Sequence, residues 1–432
     1  MSGAAEIVAA QAAPSDPFRW LVKTGDRVLD SLGYRRNQPQ LSTVLGSLGH
    51  VQTALAFDRW PILEPLEHWL SALREEANLN AIGRLAAHYD AVRLLRTVCR
   101  FANEERRRPT IIDEPIAAPI FITGMPRSGT TTLHRLIAAD PAHRAPRCWE
   151  VMAPYPPIDR LDDRHSEVER QLRAFCRLSP GLSSMHPLAA NTPQECTELF
   201  SPTFRSLRFD STHHVPSYRR WLDEAGHAPA YDFHRTFLQH LQAQARPRTW
   251  VLKSPDHVFS LGALLDAYPD ARLIFLHRDP LKVLPSNSRL VGLLRAPFSR
   301  TIDQAAIARK CTEDLLDASN IMMTIPQSRQ VLHLRFDALR TDAMAVVEQV
   351  YAHFGMPLSE AARSDIAASI RQSPRGGYGA NRYPFRDYDL DPDALRAIFK
   401  PYTDHFAIPL EHGASSSATL DGARGRKQGV RA

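Results

Sequence analysis

Cysteine is scarce in this chain of 432 residues. Five stand at positions 99, 148, 176, 196 and 311, with no two close together and no CxxC. An odd and scattered count argues against a disulfide framework and against a zinc finger, and it suits a reducing, cytoplasmic compartment. Long apolar runs are missing too. No stretch approaches the ~18 uninterrupted apolar residues of a membrane span. The opening MSGAAEIVAAQAAPSDPF has neither the charged start nor the continuous apolar core of a signal peptide, so none is expected. No HExxH or comparable metal-ligand spacing occurs, and no repeat of fixed period. Charge of one sign is in short supply. The net charge is +6, which suits an anionic ligand but is too small and too scattered to signal a nucleic-acid partner.

What is present is ordinary soluble composition, 44% hydrophobic and 23% charged. That length buries a core without metal or disulfide staples. Residues 18 to 108 read as helices. Leu41, Val44, Leu45, Leu48 and Val51 recur at helical spacing, as do Leu85, Val92, Leu94, Leu95 and Val98. The pattern then changes. Residues 119–123 form a short apolar run bounded by proline and glycine, which predicts a buried strand. A helix is predicted from Thr131 to Ala139. Further strands are predicted at 249–252, 272–277 and 331–334, each followed by a helix (258–267, 280–290 and 343–354). Residues 155–248 are proline-rich, with helical stretches near 166–178 and 231–245. Strands alternating with helices predict an α/β fold, a parallel sheet covered on both faces. Residues 1–112 then form a helical N-terminal extension, 113–410 the α/β domain, and 411–432, rich in Ser, Gly, Ala and Arg, a disordered tail.

The strongest signal is Gly124-Met125-Pro126-Arg127-Ser128-Gly129-Thr130-Thr131, placed between a predicted strand and a predicted helix. Glycines there permit a tight turn, and free N–H groups at a helix N-terminus point at an anion. The spacing matches the nucleoside-triphosphate loop except at Thr130, where that loop carries its lysine. A kinase or nucleotide hydrolase of the P-loop type needs that lysine on the β- and γ-phosphates. The nearest fixed cation here is Arg127, which suits one terminal phosphate better than a triphosphate chain.

Two more segments point to the same crevice. Arg278 follows the 272–277 strand in His277-Arg278-Asp279-Pro280, with Ser286 eight residues on. An arginine at a strand's carboxyl end sits where open α/β sheets bind ligands; the alternative is a surface pair with Asp279, which would be worth little. Lys253 is the first polar residue after the 249–252 strand, in Lys253-Ser254-Pro255-Asp256-His257, and is either aimed at the crevice or snorkelling at a sheet rim.

The stretch PIFITGMPRSGTTTLHRLIAADP resembles the 5′-phosphosulfate loop of the sulfotransferases that use 3′-phosphoadenosine 5′-phosphosulfate (PAPS). It is closest to the tyrosylprotein and bacterial branches, which carry P-R-S-G-T-T. The resemblance covers roughly residues 115–405 and implies a P-loop-like sulfotransferase domain. By it, Arg127, Ser128, Gly129, Thr130 and Thr131 hold the 5′-phosphosulfate. Arg278 and Ser286 resemble the 3′-phosphate motif R-D-P…S. Lys253 stands beside the bridging oxygen of the phosphosulfate. Arg375, in Ser373-Pro374-Arg375-Gly376-Gly377, resembles a basic loop that closes over the nucleotide, although its second basic residue is missing.

For the base, Glu150 resembles the glutamate that follows the loop helix in tyrosylprotein sulfotransferases. His257 and Glu195 are the alternatives, Glu195 lying in a P-x-E-C stretch like that of bacterial members. The implied activity is PAPS-dependent, metal-free sulfuryl transfer to a hydroxyl of a small or lipidic acceptor. Phe200, Phe204, Tyr218 and Trp221 serve either an acceptor site or core packing. Competing readings are a P-loop kinase or hydrolase and a non-catalytic nucleotide-binding relative. Homo-oligomerisation is left open.

Overall fold

The structure, a computed structural model, describes residues 38–49, 53–157, 161–186, 188–246, 248–372 and 384–411, together with Thr24, Gly25 and Val28. Among these, five strands form one parallel sheet: β1 (Ile120–Gly124), β2 (His143–Arg144), β3 (Thr249–Lys253), β4 (Arg272–His277) and β5 (Val331–Arg335), in the order β2-β3-β1-β4-β5. β1 is central and buried along its whole length. That explains its unbroken apolar sequence, because a strand covered on both faces has no polar side to show.

Side chains alternate between the two faces. Ile120 and Ile122 pack with Leu133 and Ile137 of the loop helix (Thr130–Ala138) and with Val346, Val347 and Val350 of the helix Ala343–His353. Phe121, Leu252 and Phe275 belong to the larger core on the other face. That core is continuous with the N-terminal helices. Phe101, on the helix Ala81–Arg107, stacks on Phe233 and His240 of the helix Ala228–Gln242. Within the Ala81–Arg107 helix, Val92, Leu94, Leu95 and Val98 are buried as their spacing predicts, but Leu85 is 60% exposed. Val51, from the other expected stripe, lies outside the described residues.

The predicted strands and their following helices are present within one or two residues, except that the 280–290 helix runs on to Arg295 and the 258–267 segment begins as a 3₁₀ turn (Pro255–Ser260) before the helix Leu261–Ala267. β2 is the unexpected element. It is two residues long, too short to leave a periodic trace, and pairs His143 with Thr249 and Arg144 with Trp250.

The topology places the crevice. The connection from β1 runs to β2 on one side of the sheet, while that from β3 crosses β1 to reach β4 on the other, so connections leave the carboxyl ends of neighbouring strands in opposite directions. Ligands bind at such switch points in open parallel sheets. The carboxyl ends of β1, β3 and β4 carry Gly124, Lys253 and His277 followed by Arg278.

Candidate functional site

The glycine-rich turn is held open by its backbone. Gly124, Arg127 and Gly129 have φ values of 128°, 64° and 95°. At Gly129 a Cβ would stand 2.6 Å from the Phe336 ring, so glycine is required by both conformation and space. Arg127 tolerates a positive φ that non-glycine residues seldom adopt, a strain that clusters at ligand sites. The Ser128 hydroxyl donates to the Met125 carbonyl at 2.6 Å and is spent within the turn. The backbone N–H groups of Ser128, Gly129, Thr130 and Thr131 donate to no acceptor among the described residues. Four neighbouring unsatisfied donors at a helix start form an anion cradle.

Side chains from distant positions gather around this cradle. Arg127 donates through Nε to Ser286 Oγ at 3.2 Å and through a terminal nitrogen to the Met185 carbonyl at 2.9 Å. Arg278 donates to the Arg127 carbonyl at 2.8 Å, and its guanidinium lies 4.0 Å over the Phe336 ring. Lys253 is 98% buried by its side chain's 2% exposure; its Nζ donates to Thr131 Oγ1 at 3.3 Å and forms a tight ion pair with Glu195. Arg127, Thr131, Lys253, Arg278 and Ser286 thus line one cavity of about 1690 Å³. A typical small-molecule site is about 300–1,000 Å³, so this one has room for two substrates side by side. Its lining also includes the apolar side chains of Phe175, Leu178, Leu188, Leu290, Leu294 and Phe298.

Not every expected residue arrives there. Glu150 lies outside the cavity lining. One of its carboxylate oxygens accepts from Arg144 at 2.8 Å, and the other accepts the Arg147 N–H at 2.9 Å, capping its own short helix Cys148–Met152. His257 is fully buried behind the crevice. Its Nδ1 meets the Tyr231 hydroxyl at 2.6 Å, its ring packs on Phe121 and Phe200, and burial holds its pKa well below the ordinary value. Phe200, Phe204, Tyr218 and Trp221 are core or core-packed residues, and none lines the cavity. His213 is buried against Trp69 and Phe298. Arg375 lies outside the described residues. Among the described residues no group of His, Cys, Asp and Glu has metal-binding geometry, and no helix is long and apolar enough to cross a membrane.

Glu195, by contrast, lines the cavity at the foot of the helix Cys196–Phe200. Burial pushes its carboxyl up, but Lys253 above all, with His186, carries it below the ordinary value. His186, beside it, is lowered to about 4 by burial and is neutral near pH 7. Asp256 also lines the cavity; burial and then the Glu195 charge raise it to about 7. Sequence reasoning passed over both His186 and Asp256. Glu411, where the predicted tail begins, is fixed in place. Its carboxylate accepts from Arg278 Nε at 2.6 Å and from a terminal nitrogen at 2.9 Å, while its N–H donates to Asp279 at 2.9 Å.

A model described as the Sulfotransferase family matches residues 119–360, more than half of the chain. This chain belongs to the sulfotransferase family. The matched span runs from the start of β1 to the helix after β5, so it contains the whole sheet. Two omega-hydroxy-beta-dihydromenaquinone-9 sulfotransferases named Stf3, from Mycobacterium bovis and Mycobacterium tuberculosis, are each 26% identical over 272 residues. That alignment takes in 57% of this chain and 64% of theirs, so the chain spans less than two thirds of these relatives. Among solved structures, the sulfotransferase STF1 from Mycobacterium tuberculosis superposes with a TM-score of 0.72 at 26% identity, covering 85% of this chain and all of that one (100%). The sulfotransferase STF9 from Mycobacterium avium gives a TM-score of 0.71 at 27% identity over 84% of this chain and 99% of that one. Both superpositions extend well beyond the span of the family model. The fold of this sulfotransferase-family chain is therefore shared in its helical parts as well as in its sheet.

Proposed function

We propose that this sulfotransferase-family chain moves a sulfuryl group from PAPS to a hydroxyl of an apolar, lipid-like acceptor. The observation that carries the reading is convergence. A cradle of unsatisfied N–H groups, Arg127, Lys253, Arg278 and Ser286 meet at one end of a single large cavity. PAPS carries two separated anionic groups, and the residues present fit both. Arg127, Thr131, Lys253 and the N–H groups of residues 128–131 suit the 5′-phosphosulfate. Arg278 and Ser286 suit the 3′-phosphate.

When bound, PAPS supplies the activated sulfuryl group, whose sulfur–oxygen bond to the 5′-phosphate breaks as the acceptor oxygen bonds to sulfur. The chain's part is positioning and charge. Lys253, held by Thr131 and Glu195, would meet the leaving oxygen, and Arg127 and the helix start would meet the sulfuryl oxygens. Lys253 is withdrawn from water, which strengthens its interaction with developing negative charge. The apolar part of the lining favours an acceptor with a long hydrocarbon part, and the Stf3 relatives are named for a hydroxylated dihydromenaquinone.

Calorimetric titration with adenosine 3′,5′-bisphosphate and with ATP·Mg²⁺ tests the cofactor class. The expected result is micromolar or tighter binding of the bisphosphate without metal, and weak ATP. Tight ATP·Mg²⁺ binding with no bisphosphate preference would replace this reading with a kinase. Radiolabelled PAPS supplied with geraniol or 2-naphthol then tests turnover. Binding of the bisphosphate with no consumption of PAPS would leave a nucleotide-binding relative without activity.

A further inference from the structure

We propose that Asp256 accepts the proton of the acceptor hydroxyl, while Glu195 serves to hold Lys253; this rests on the sulfuryl-transfer reading above. The first support is position. Asp256 lies three residues past Lys253, in the 3₁₀ turn Pro255–Ser260. Its N–H donates to Ser254 Oγ at 3.1 Å, and the neighbouring Pro255 carbonyl accepts the Thr123 hydroxyl at 3.3 Å. The turn is thereby tied to β1 and β3, the two strands that carry the glycine-rich loop and Lys253. The Asp256 side chain lines the same cavity as Arg127, Thr131, Lys253 and Glu195.

The second support is elimination. Among the described residues seven acids line the cavity, and six are committed to cations. Glu195 pairs with Lys253 and Glu411 with Arg278. Asp90 and Glu198 share Arg93 and Arg208. Asp210 faces Arg219 and Arg295, and Asp314 faces Arg219 and Lys310. Asp256 alone has a buried carboxylate oxygen, Oδ2, with no partner among the described residues. A carboxylate with no cation of its own takes up a proton more readily than one held ionised by a paired charge.

The electrostatics agree. The charged groups that act on Asp256 are Glu195, Arg219, Asp314 and Lys253, with Lys310 tied to Asp314. Burial and Glu195 raise the Asp256 carboxyl to about 7, while Lys253 keeps Glu195 below its ordinary value. Two carboxyls in one site, driven apart by their surroundings, divide the work between proton transfer and charge. A base is most effective when its pKa lies near the working pH. The step balances: the acceptor O–H proton passes to Asp256, the acceptor oxygen bonds to sulfur, and the sulfur–oxygen bond to the 5′-phosphate breaks. Adenosine 3′,5′-bisphosphate leaves with the bonding pair, and the carboxyl later returns its proton to water.

The test follows PAPS consumption with geraniol, 2-naphthol or water as acceptor across about pH 5 to 9, together with infrared difference spectra of the carboxyl band. Wild type should lose activity as pH falls through about 7, because Asp256 must be ionised to take a proton. Asp256→Asn should lower kcat by about 10²–10⁴ and remove that acid limb. It should leave bisphosphate binding unchanged and remove a carboxyl band that titrates near neutrality. Asp256→Glu should restore part of the rate. Glu195→Gln is the discriminating variant. With one negative charge gone, the acid limb should persist and move to lower pH; loss of the limb would make Glu195 the base. His186→Gln should keep the limb. An Asp256→Asn enzyme within about threefold of wild type, with its acid limb in place, would overturn the proposal alone. A wild type that consumes no PAPS would overturn the transfer reading and this base with it.

Discussion

The two ends of the cavity are built differently. At the nucleotide end, eight consecutive residues, Gly124 to Thr131, supply the turn, the donors and one cation. Arg278 and Ser286 add to it from one strand end and the helix after it. The rest of the lining, where the acceptor is proposed to sit, draws Asp90, Glu195, Asp256 and Asp314 from four separate stretches of the chain. The first end is local chemistry dictated by backbone geometry. The second is a tertiary product in which no short segment carries the meaning. Changes at the nucleotide end should therefore alter binding of one ligand group at a time, and changes at the acceptor end should alter turnover.

After Asp256→Asn, the largest effect should come where the two ends meet. Lys253→Met removes the ammonium proposed to face the leaving oxygen and keeps much of the side-chain volume. The expectation is a fall in kcat of about 10²–10³, the usual cost of one preorganised charge donor. Bisphosphate affinity should change much less, which calorimetry checks. If affinity collapses and kcat holds, Lys253 belongs to the binding end only. Arg278→Ala should come next. Loss of charge-assisted contacts to a phosphate should weaken adenosine 3′,5′-bisphosphate by about 10- to 100-fold. Binding of 5′-AMP should be nearly unchanged, and equal losses for the two nucleotides would remove Arg278 from the 3′-phosphate site.

Legibility follows the same division. β1, β3 and β4 could be read from the sequence because each is a short apolar run between turn signals, buried on both faces. Lys253 and Arg278 could be read because a polar residue ending such a run must leave the sheet at its carboxyl edge. β2 could not, since two residues have no period. Glu150 looked right because it follows the loop helix at a familiar distance. What the sequence could not show is that Arg144 and the Arg147 N–H occupy both its oxygens. Asp256 stood beside Lys253 in plain view. Its interest depends on which other acids are already paired, and those partners come from positions as far apart as 93 and 310.

Glu411 sharpens the comparison with a smaller effect. Its carboxylate forms a two-point pair with the arginine assigned to the 3′-phosphate, and it must yield before an anion takes that place. Both side chains are 23% exposed, so the pair is worth about 1 kcal/mol at most. Glu411→Gln should therefore tighten bisphosphate binding by no more than about fivefold. It should leave 5′-AMP unaffected, because that ligand has no group to compete for Arg278. Weaker bisphosphate binding in Glu411→Gln would mean that the carboxylate orients Arg278 for the ligand instead of competing with it.

The smallest effect on turnover should be at Glu150. Because it lies outside the cavity and caps its own helix, Glu150→Gln should leave kcat within about twofold of wild type and preserve the acid limb. Its cost should appear in stability. The variant loses the charge facing Arg144 and weakens the cap, together worth about 0.5–2 kcal/mol. Thermal unfolding beside steady-state kinetics separates the two. A lower midpoint with normal turnover keeps Glu150 in the scaffold. Normal stability with a collapse of kcat would return it to the reacting centre, and the boundary drawn between the two ends of the cavity would have to move.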